Sequence, residues 1–218
     1  MTRERFPALD AIPSVRAGFI CRIPGVDVAV EREEALRRLA APHQDALANA
    51  GLGEFVFATA EQVHGIRIAR VLANTPFPVP GADGLLTTAH GVCLGIYVAD
   101  CAAVFLADRH GRAIALVHSG KKGTGLGIVP EAVSALCEVP GISPGDLVAQ
   151  ISPCIRPPHY EVDFAAEIRR QLADAGVRDI HDSQTCTASH PDRYYSYRLE
   201  KGFTGRLLAF LALAAPPR

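Results

Sequence analysis

Apolar residues along this chain fall into short runs of five to eight, separated by clusters of Gly, Pro and charged residues, with a few stretches of helical spacing between them. "VRAGFICRI" (15–23) reads as a strand from its apolar and β-branched content. "DVAVEREEALRRLAAPHQDALANAGL" follows with Val30, Ala35, Leu36 and Leu39 at helical spacing. Pro42 is expected to split that helix in two, and Gly51 and Gly53 to end it. "EFVFATA" and "IRIARVL" read as strands on either side of the turn-like "EQVHG". After the loop "NTPFPVPGADG" come three apolar runs: "VCLGIYVA" (92–99), "AAVFLAD" (102–108) and "AIALVHS" (113–119). The turn residues "DRHGR" make the last two an antiparallel hairpin.

Downstream, "GTGLGIVPEAVSALCEV" predicts a loop running into a helix, "DLVAQIS" a strand and "DFAAEIRRQLADAG" an amphipathic helix. "YYSYRL" reads as a late strand, and "TGRLLAFLALA" as a closing helix. Strands and helices are interspersed, but hairpins replace strict βαβ alternation. The pattern defines an α/β (α+β) protein, one domain over 1–218 with a mixed β-sheet core and flanking helices.

Length and composition agree. A chain of 218 residues, 49% hydrophobic, is long enough to bury one substantial core. A net charge of −1 without a long charge run gives no nucleic-acid footprint. The first fifteen residues lack the apolar stretch of a signal peptide, and no run approaches the roughly 20 apolar residues that span a bilayer. No membrane partner and a cytoplasmic location are the resulting expectations. The six cysteines contain no C-x-x-C pair, so neither a disulfide framework nor a zinc-finger pattern emerges.

Three residues stand at the ends of apolar runs: His64, Cys101 and His118. Strand ends of one sheet converge at an edge, where loops hold functional groups. Two imidazoles and a thiolate make a three-ligand zinc set with a fourth position open. Spacing alone leaves this beside a bland reading, in which the trio are core or surface residues. A metal-free alternative makes Cys101 a nucleophile activated by His118, with His64 orienting or donating. Asp100 fits either that chemistry or a simple strand-end turn. Cys93 and Cys137 lie inside apolar runs and read as core; His110 sits in a charged turn and reads as solvated. His43, His90, His181 and His190 have no evident partner.

"EQVHG", "GADGLLTT", "YVADC", "LVHSGKKGTGLGIV", "ISPCIRPPHYEVD" and "YYSYRLEKGFTGR" occur in an order that resembles the bacterial laccase-domain family. That family is also called multicopper polyphenol oxidase and includes zinc-dependent purine nucleoside phosphorylases. The resemblance covers roughly residues 54 to 210, and the N-terminal part, 1–53, is divergent. It implies that His64, Cys101 and His118 bind zinc and form the active centre. It further implies phosphate-dependent cleavage of adenosine-, inosine- or guanosine-type nucleosides to free base and ribose 1-phosphate, with adenosine deamination as a side activity. The implied partners are therefore a nucleoside and phosphate, and the family's fold is a layered, mixed α/β sheet. A copper oxidase does not fit, because eight histidines include no H-x-H pair. A single soft-ligand site would at most pick up Cu2+ adventitiously.

This chain departs from the family at "HSGKKG", where H-A-G-W-R-G is usual, so that Lys121 and Lys122 replace tryptophan and arginine. Lysine offers phosphate a point charge rather than a planar fork. Lys121 and Lys122 are still the candidate phosphate or substrate contacts, against the alternative of an exposed basic turn. Ala102 stands where a proline is usual after A-D-C, and Cys154 where a serine is common. A divergent, inactive metal-binding member is the alternative reading that the double lysine feeds. Oligomeric state is left unassigned.

Overall fold

A computed structural model of the protein describes residues 3–215. In chain order the elements are β1 (Arg3–Glu4), α1 (Pro7–Asp10), β2 (Val15–Ile20), α2 (Arg32–Asn49), β3 (Val56–Thr59), β4 (Ile68–Arg70), β5 (Gly84–Thr87) and β6 (Val92–Val98). There follow β7 (Ala102–Asp108), β8 (Ile114–Ser119), α3 (Lys121–Leu126), α4 (Ile128–Cys137), β9 (Leu147–Ile151), α5 (Phe164–Asp174), β10 (Asp179–Asp182) and β11 (Leu207–Leu213). The mixed α/β class holds, with the strands divided between two mixed sheets. A five-stranded sheet has the order β1-β2-β11-β6-β3, and a six-stranded sheet the order β10-β9-β7-β8-β5-β4. In each, antiparallel pairs predominate, and parallel pairs are confined to β3 with β6, β4 with β5 and β10 with β9.

The runs lacking alternation are the strands buried on both faces. Along β7, Ala103, Phe105 and Ala107 join the core shared with the five-stranded sheet. The intervening Ala102, Val104 and Leu106 face the core formed with α4 and α5, where Ile128, Leu136, Phe164 and Ile168 pack. Successive residues of β11, Leu207 to Leu213, are all fully buried in the first core, which also takes in Ala35, Leu39 and Leu47 of α2.

Four expectations are corrected. "LLAFLAL" is β11 rather than a helix: it pairs antiparallel with β2 and β6, and burial on both faces overrides the helix preference of Leu and Ala. Pro42 does not split α2, since Ala35, Leu39, His43, Ala46 and Leu47 on both sides of it share one buried face. "YYSYRL" is not a strand, because its N–H groups serve side chains: Ser196 N donates to Glu200 and Arg198 N to Asp100. The segment after Gly120 is not a loop but the short helix α3, which turns at Gly127 (φ 87°) into α4. Three strands escape the apolar pattern altogether: β1, whose sequence is RE, β5, only four residues long, and β10, whose sequence DIHD is that of a polar sheet edge.

Candidate metal centre and cavity

His64, Cys101 and His118 come together, their donor atoms all within 4.8 Å of one another. They do so across two sheets rather than along one edge. His118 lies on β8 of the six-stranded sheet, and His64 on the loop after β3 of the five-stranded one. Cys101 ends the link Ala99–Asp100–Cys101, where the chain passes from β6 in one sheet to β7 in the other.

Asp83, read from sequence only as part of a loop, organises this trio. Its fully buried carboxylate accepts the His118 Nδ1 hydrogen at 2.9 Å, leaving Nε2 as the ring's available donor atom. It also accepts the backbone N–H groups of Val63, His64 and Gly65, at 3.0, 2.8 and 2.7 Å. One carboxylate therefore fixes the tautomer of one histidine and the backbone of another, as the outer shell of a metal site does. His64 holds a left-handed backbone (φ 61°), and so does Gln62 (φ 65°). The Gln62 amide clasps the main chain of Tyr97, accepting from its N–H at 3.0 Å and donating to its carbonyl at 2.6 Å. That clasp pins the His64 loop to β6. The signal for Asp83 and Gln62 was their place inside two of the ordered motifs, "GADG" and "EQVHG"; neither makes a periodic pattern.

Charge is arranged accordingly. Burial alone would raise the Cys101 thiol, but hydrogen bonds and charge from His118 and His64 outweigh it and pull its pKa below the ordinary thiol value. Burial alone would lower His118, but Asp83 and Cys101 together raise it. Desolvation would raise Asp83, and its bonds to His118 and the loop N–H groups hold it down. The arrangement favours negative charge on the Cys101 sulfur beside a His118 ring braced by a carboxylate. Gly120, next but one after His118, makes room for it: a Cβ there would lie 2.5 Å from the Cys101 sulfur.

Asp100 is more than a turn residue. Held at φ 83° and buried, it accepts hydrogen bonds from Thr187 Oγ1 (2.7 Å), Ser196 Oγ (3.0 Å) and Arg198 N (2.7 Å). It thereby fastens the segment carrying Tyr197 and Arg198 against the residue preceding Cys101. These groups line a cavity of about 950 Å³ with His64, Cys101 and His118 among its walls. Five aromatic side chains face it: Tyr97, Tyr160, Phe164, Tyr197 and Phe203. Lys121 is at the rim, 3.3 Å from Glu161, which also takes Arg198 at 2.7 Å. Lys122 is exposed and does not line the cavity.

The other candidates are placed as follows. Cys93 is buried, Cys154 fully so, and Cys137 half-buried at the end of α4. His110 is in the exposed turn, 4.0 Å from Asp146. His90 and His181 do have partners, the Ala214 carbonyl and Asp179. His43 is buried with neither ring nitrogen bonded among the described residues. No helix among them is long and apolar enough to cross a membrane.

Two sheets meet at a His–Cys–His cluster, graded from exposed His64 to buried His118, that could hold a metal ion at the wall of an aromatic cavity. The donor set fits: both imidazole and thiolate suit zinc and copper, and three protein ligands leave a position open. The chain belongs to the family described as multi-copper polyphenol oxidoreductase laccase, whose model matches residues 22–167 and 162–214. It is similar to the purine nucleoside phosphorylase of Streptomyces coelicolor, 33% identical over 70% of this chain and 73% of that one. It is also similar to the purine nucleoside phosphorylase of Deinococcus radiodurans, 30% identical over 92% and 87%. The crystal structure of YlmD from Geobacillus stearothermophilus superposes with a TM-score of 0.80, covering 94% of both chains at 24% identity, and so shares the fold.

Proposed function

We propose that this protein is a zinc-dependent purine nucleoside phosphorylase. The observation that carries the reading is the Asp83-braced His64–Cys101–His118 cluster opening into an aromatic cavity of nucleoside size. The names of the relatives point to the same chemistry. In the reaction a phosphate oxygen bonds to ribose C1′ as the C1′–N bond breaks. Its electron pair leaves with the purine, which takes up a proton, and ribose 1-phosphate remains.

Zinc held by His64, Cys101 and His118 would supply Lewis-acid polarisation and a template, for phosphorolysis and for deamination of adenosine as a side activity. The aromatic walls offer the base faces on which to stack and shut out water. Asp83 keeps the His118 ring in one tautomer. Lys121, paired with Glu161 at the rim, and Lys122, exposed outside the cavity, would act on phosphate only as diffuse positive charge near the mouth. The closing of the cavity wall depends on Asp100, which ties Tyr197 and Arg198 in place. Nucleoside and phosphate are the partners this reading requires.

A second reading, a metal-free Cys–His hydrolase or transferase, is favoured by one observation, the Cys101 sulfur set beside the Asp83-braced His118 ring, whose charge pulls the thiol pKa down. One experiment separates the two. Metal content is measured by mass spectrometry on wild type and Cys101→Ala, beside phosphate-dependent release of base from adenosine, inosine and guanosine. The expected result is about one zinc per chain, lost in the variant together with base release. Protein free of metal after expression in zinc-replete medium would overturn the zinc reading. Zinc without turnover would mark a divergent, inactive member.

A further inference from the structure

Arg206 is the one arginine of the cavity wall that is buried: it is 8% exposed. Its only hydrogen bonds among the described residues run from Nη1 to the carbonyls of Thr204 (2.8 Å) and Gly205 (3.0 Å). Nε and Nη2 have no acceptor there, and unlike Arg156 Nε they are not sealed from solvent. Among the described residues no carboxylate pairs with this guanidinium. A buried, permanently charged group left without a counter-ion is costly, and proteins keep one where a ligand supplies the charge.

Its surroundings sharpen the point. Arg32, at the start of α2, lines the same cavity and among the described residues donates only to the Glu61 carbonyl, at 3.1 Å. Burial first, and then the nearby Arg32 charge, push the Arg206 pKa down against smaller opposing pulls from Tyr197, Cys101 and Asp100, and two like charges face one space. Lys201 lines it too, without an acidic partner among the described residues, whereas Lys121 and Arg198 are committed to Glu161. The acidic residues of the wall do not cancel this excess. Asp100 already accepts three donors and Cys101 is engaged by His64 and His118, so neither hydrogen-bonds Arg206, and Glu31 is exposed beside Arg32.

The backbone also aims Arg206. Leu207, at the start of β11, pairs with Val98 at the end of β6, so Arg206 enters the sheet at the edge where β6 runs out toward Cys101. Gly205 lets the Tyr195 ring press against the preceding turn, where a Cβ would lie 2.5 Å from it. With Nη1 tied to two carbonyls, the edge left over is Nε with Nη2, the side-on fork that matches two oxygens of one oxyanion.

We propose that Arg206, assisted by Arg32, is an oxyanion seat inside the cavity that takes inorganic phosphate, its Nε–Nη2 edge gripping two phosphate oxygens. The lysines of α3 attract; the arginines hold. The choice of phosphate among oxyanions rests on the phosphorylase reading, while the seat itself does not.

The test is calorimetric titration of the metal-loaded protein with inorganic phosphate in the absence of nucleoside, for wild type, Arg206→Gln, Arg206→Lys and Arg32→Gln. Loss of a charge-assisted fork should weaken phosphate binding roughly ten- to hundredfold in Arg206→Gln. Arg206→Lys should fall between, since a point charge attracts without forking. Arg32→Gln should weaken binding by a smaller factor, and as an exposed position it reports even if Arg206→Gln fails to fold. In steady state the same variants should raise the phosphate KM far more than the nucleoside KM. Phosphate affinity unchanged in Arg32→Gln and in a folded position-206 variant, or no phosphate binding by wild type, overturns the seat. Phosphate binding that depends on Arg206 in a protein that cleaves no nucleoside upholds the seat and sinks the phosphorylase reading.

Discussion

The thiol of Cys101 sits where it does because residue 120 has no side chain. Gly120 has an ordinary extended backbone (φ −103°, ψ −173°), so alanine costs nothing there except space. That space is the sulfur's. Gly120→Ala should therefore leave the fold standing while displacing Cys101, with base release and metal content both falling at least tenfold. Normal metal content in a folded Gly120→Ala protein would show that the sulfur is not a ligand. Asp83 is the other decisive residue. Asp83→Asn keeps the shape but replaces one of two acceptor oxygens by a donor that faces N–H groups. A loss of roughly 10- to 100-fold in metal affinity is expected, read by competition with a chromogenic chelator. Stability should fall by about 1–3 kcal/mol through the unsatisfied groups.

Among the elements, α2 carries a hidden acid sensitivity. His43 is buried on its inner face, 5.7 Å between ring centroids from Tyr97, and burial pushes its pKa from 6.5 down to about 4. The folded chain keeps the ring neutral while the unfolded chain protonates near 6.5. Its contribution is thus full above pH 6.5 and is lost as pH falls through about 4, a loss of about 3 kcal/mol. Urea titrations at pH 7 and pH 4.5 should show His43→Leu flattening that acid limb and leaving the pH 7 stability no lower. An unchanged acid limb would place the sensitivity elsewhere.

The elements also show what a sequence reveals and what it hides. Strands β2, β3, β6, β7, β8 and β9 and the helix α5 are legible, because each is a compact apolar run or a clean amphipathic stripe. The segment that becomes β11 is not. Seven apolar residues with no polar phase carry no period, and only its two neighbouring strands decide between helix and strand. The site divides in the same way. His64, Cys101 and His118 stand out by residue type and by their motifs. Asp83, Gln62 and Arg206 act through contacts made between distant segments, and residue type alone announces none of those.

At the scale of the whole molecule, the two sheets and their shared core meet at the three donors. A metal bound there should add its binding free energy to folding, about 4 kcal/mol when free metal is 1,000 times its Kd. Stripping it with a strong chelator should lower Tm by roughly 10 °C, measured by scanning calorimetry. No change in Tm would mean that the site holds no metal in the folded protein. The passage of the chain from one sheet to the other through Ala99, Asp100 and Cys101 has a further consequence. A nascent or damaged molecule with only one sheet assembled possesses at most part of the donor set, since His118 rides on the second sheet and His64 hangs from the first. If the proposed metal binds there, its uptake would work as an inspection of the finished fold, and atoms of metal counted in a preparation would be a census of its native molecules.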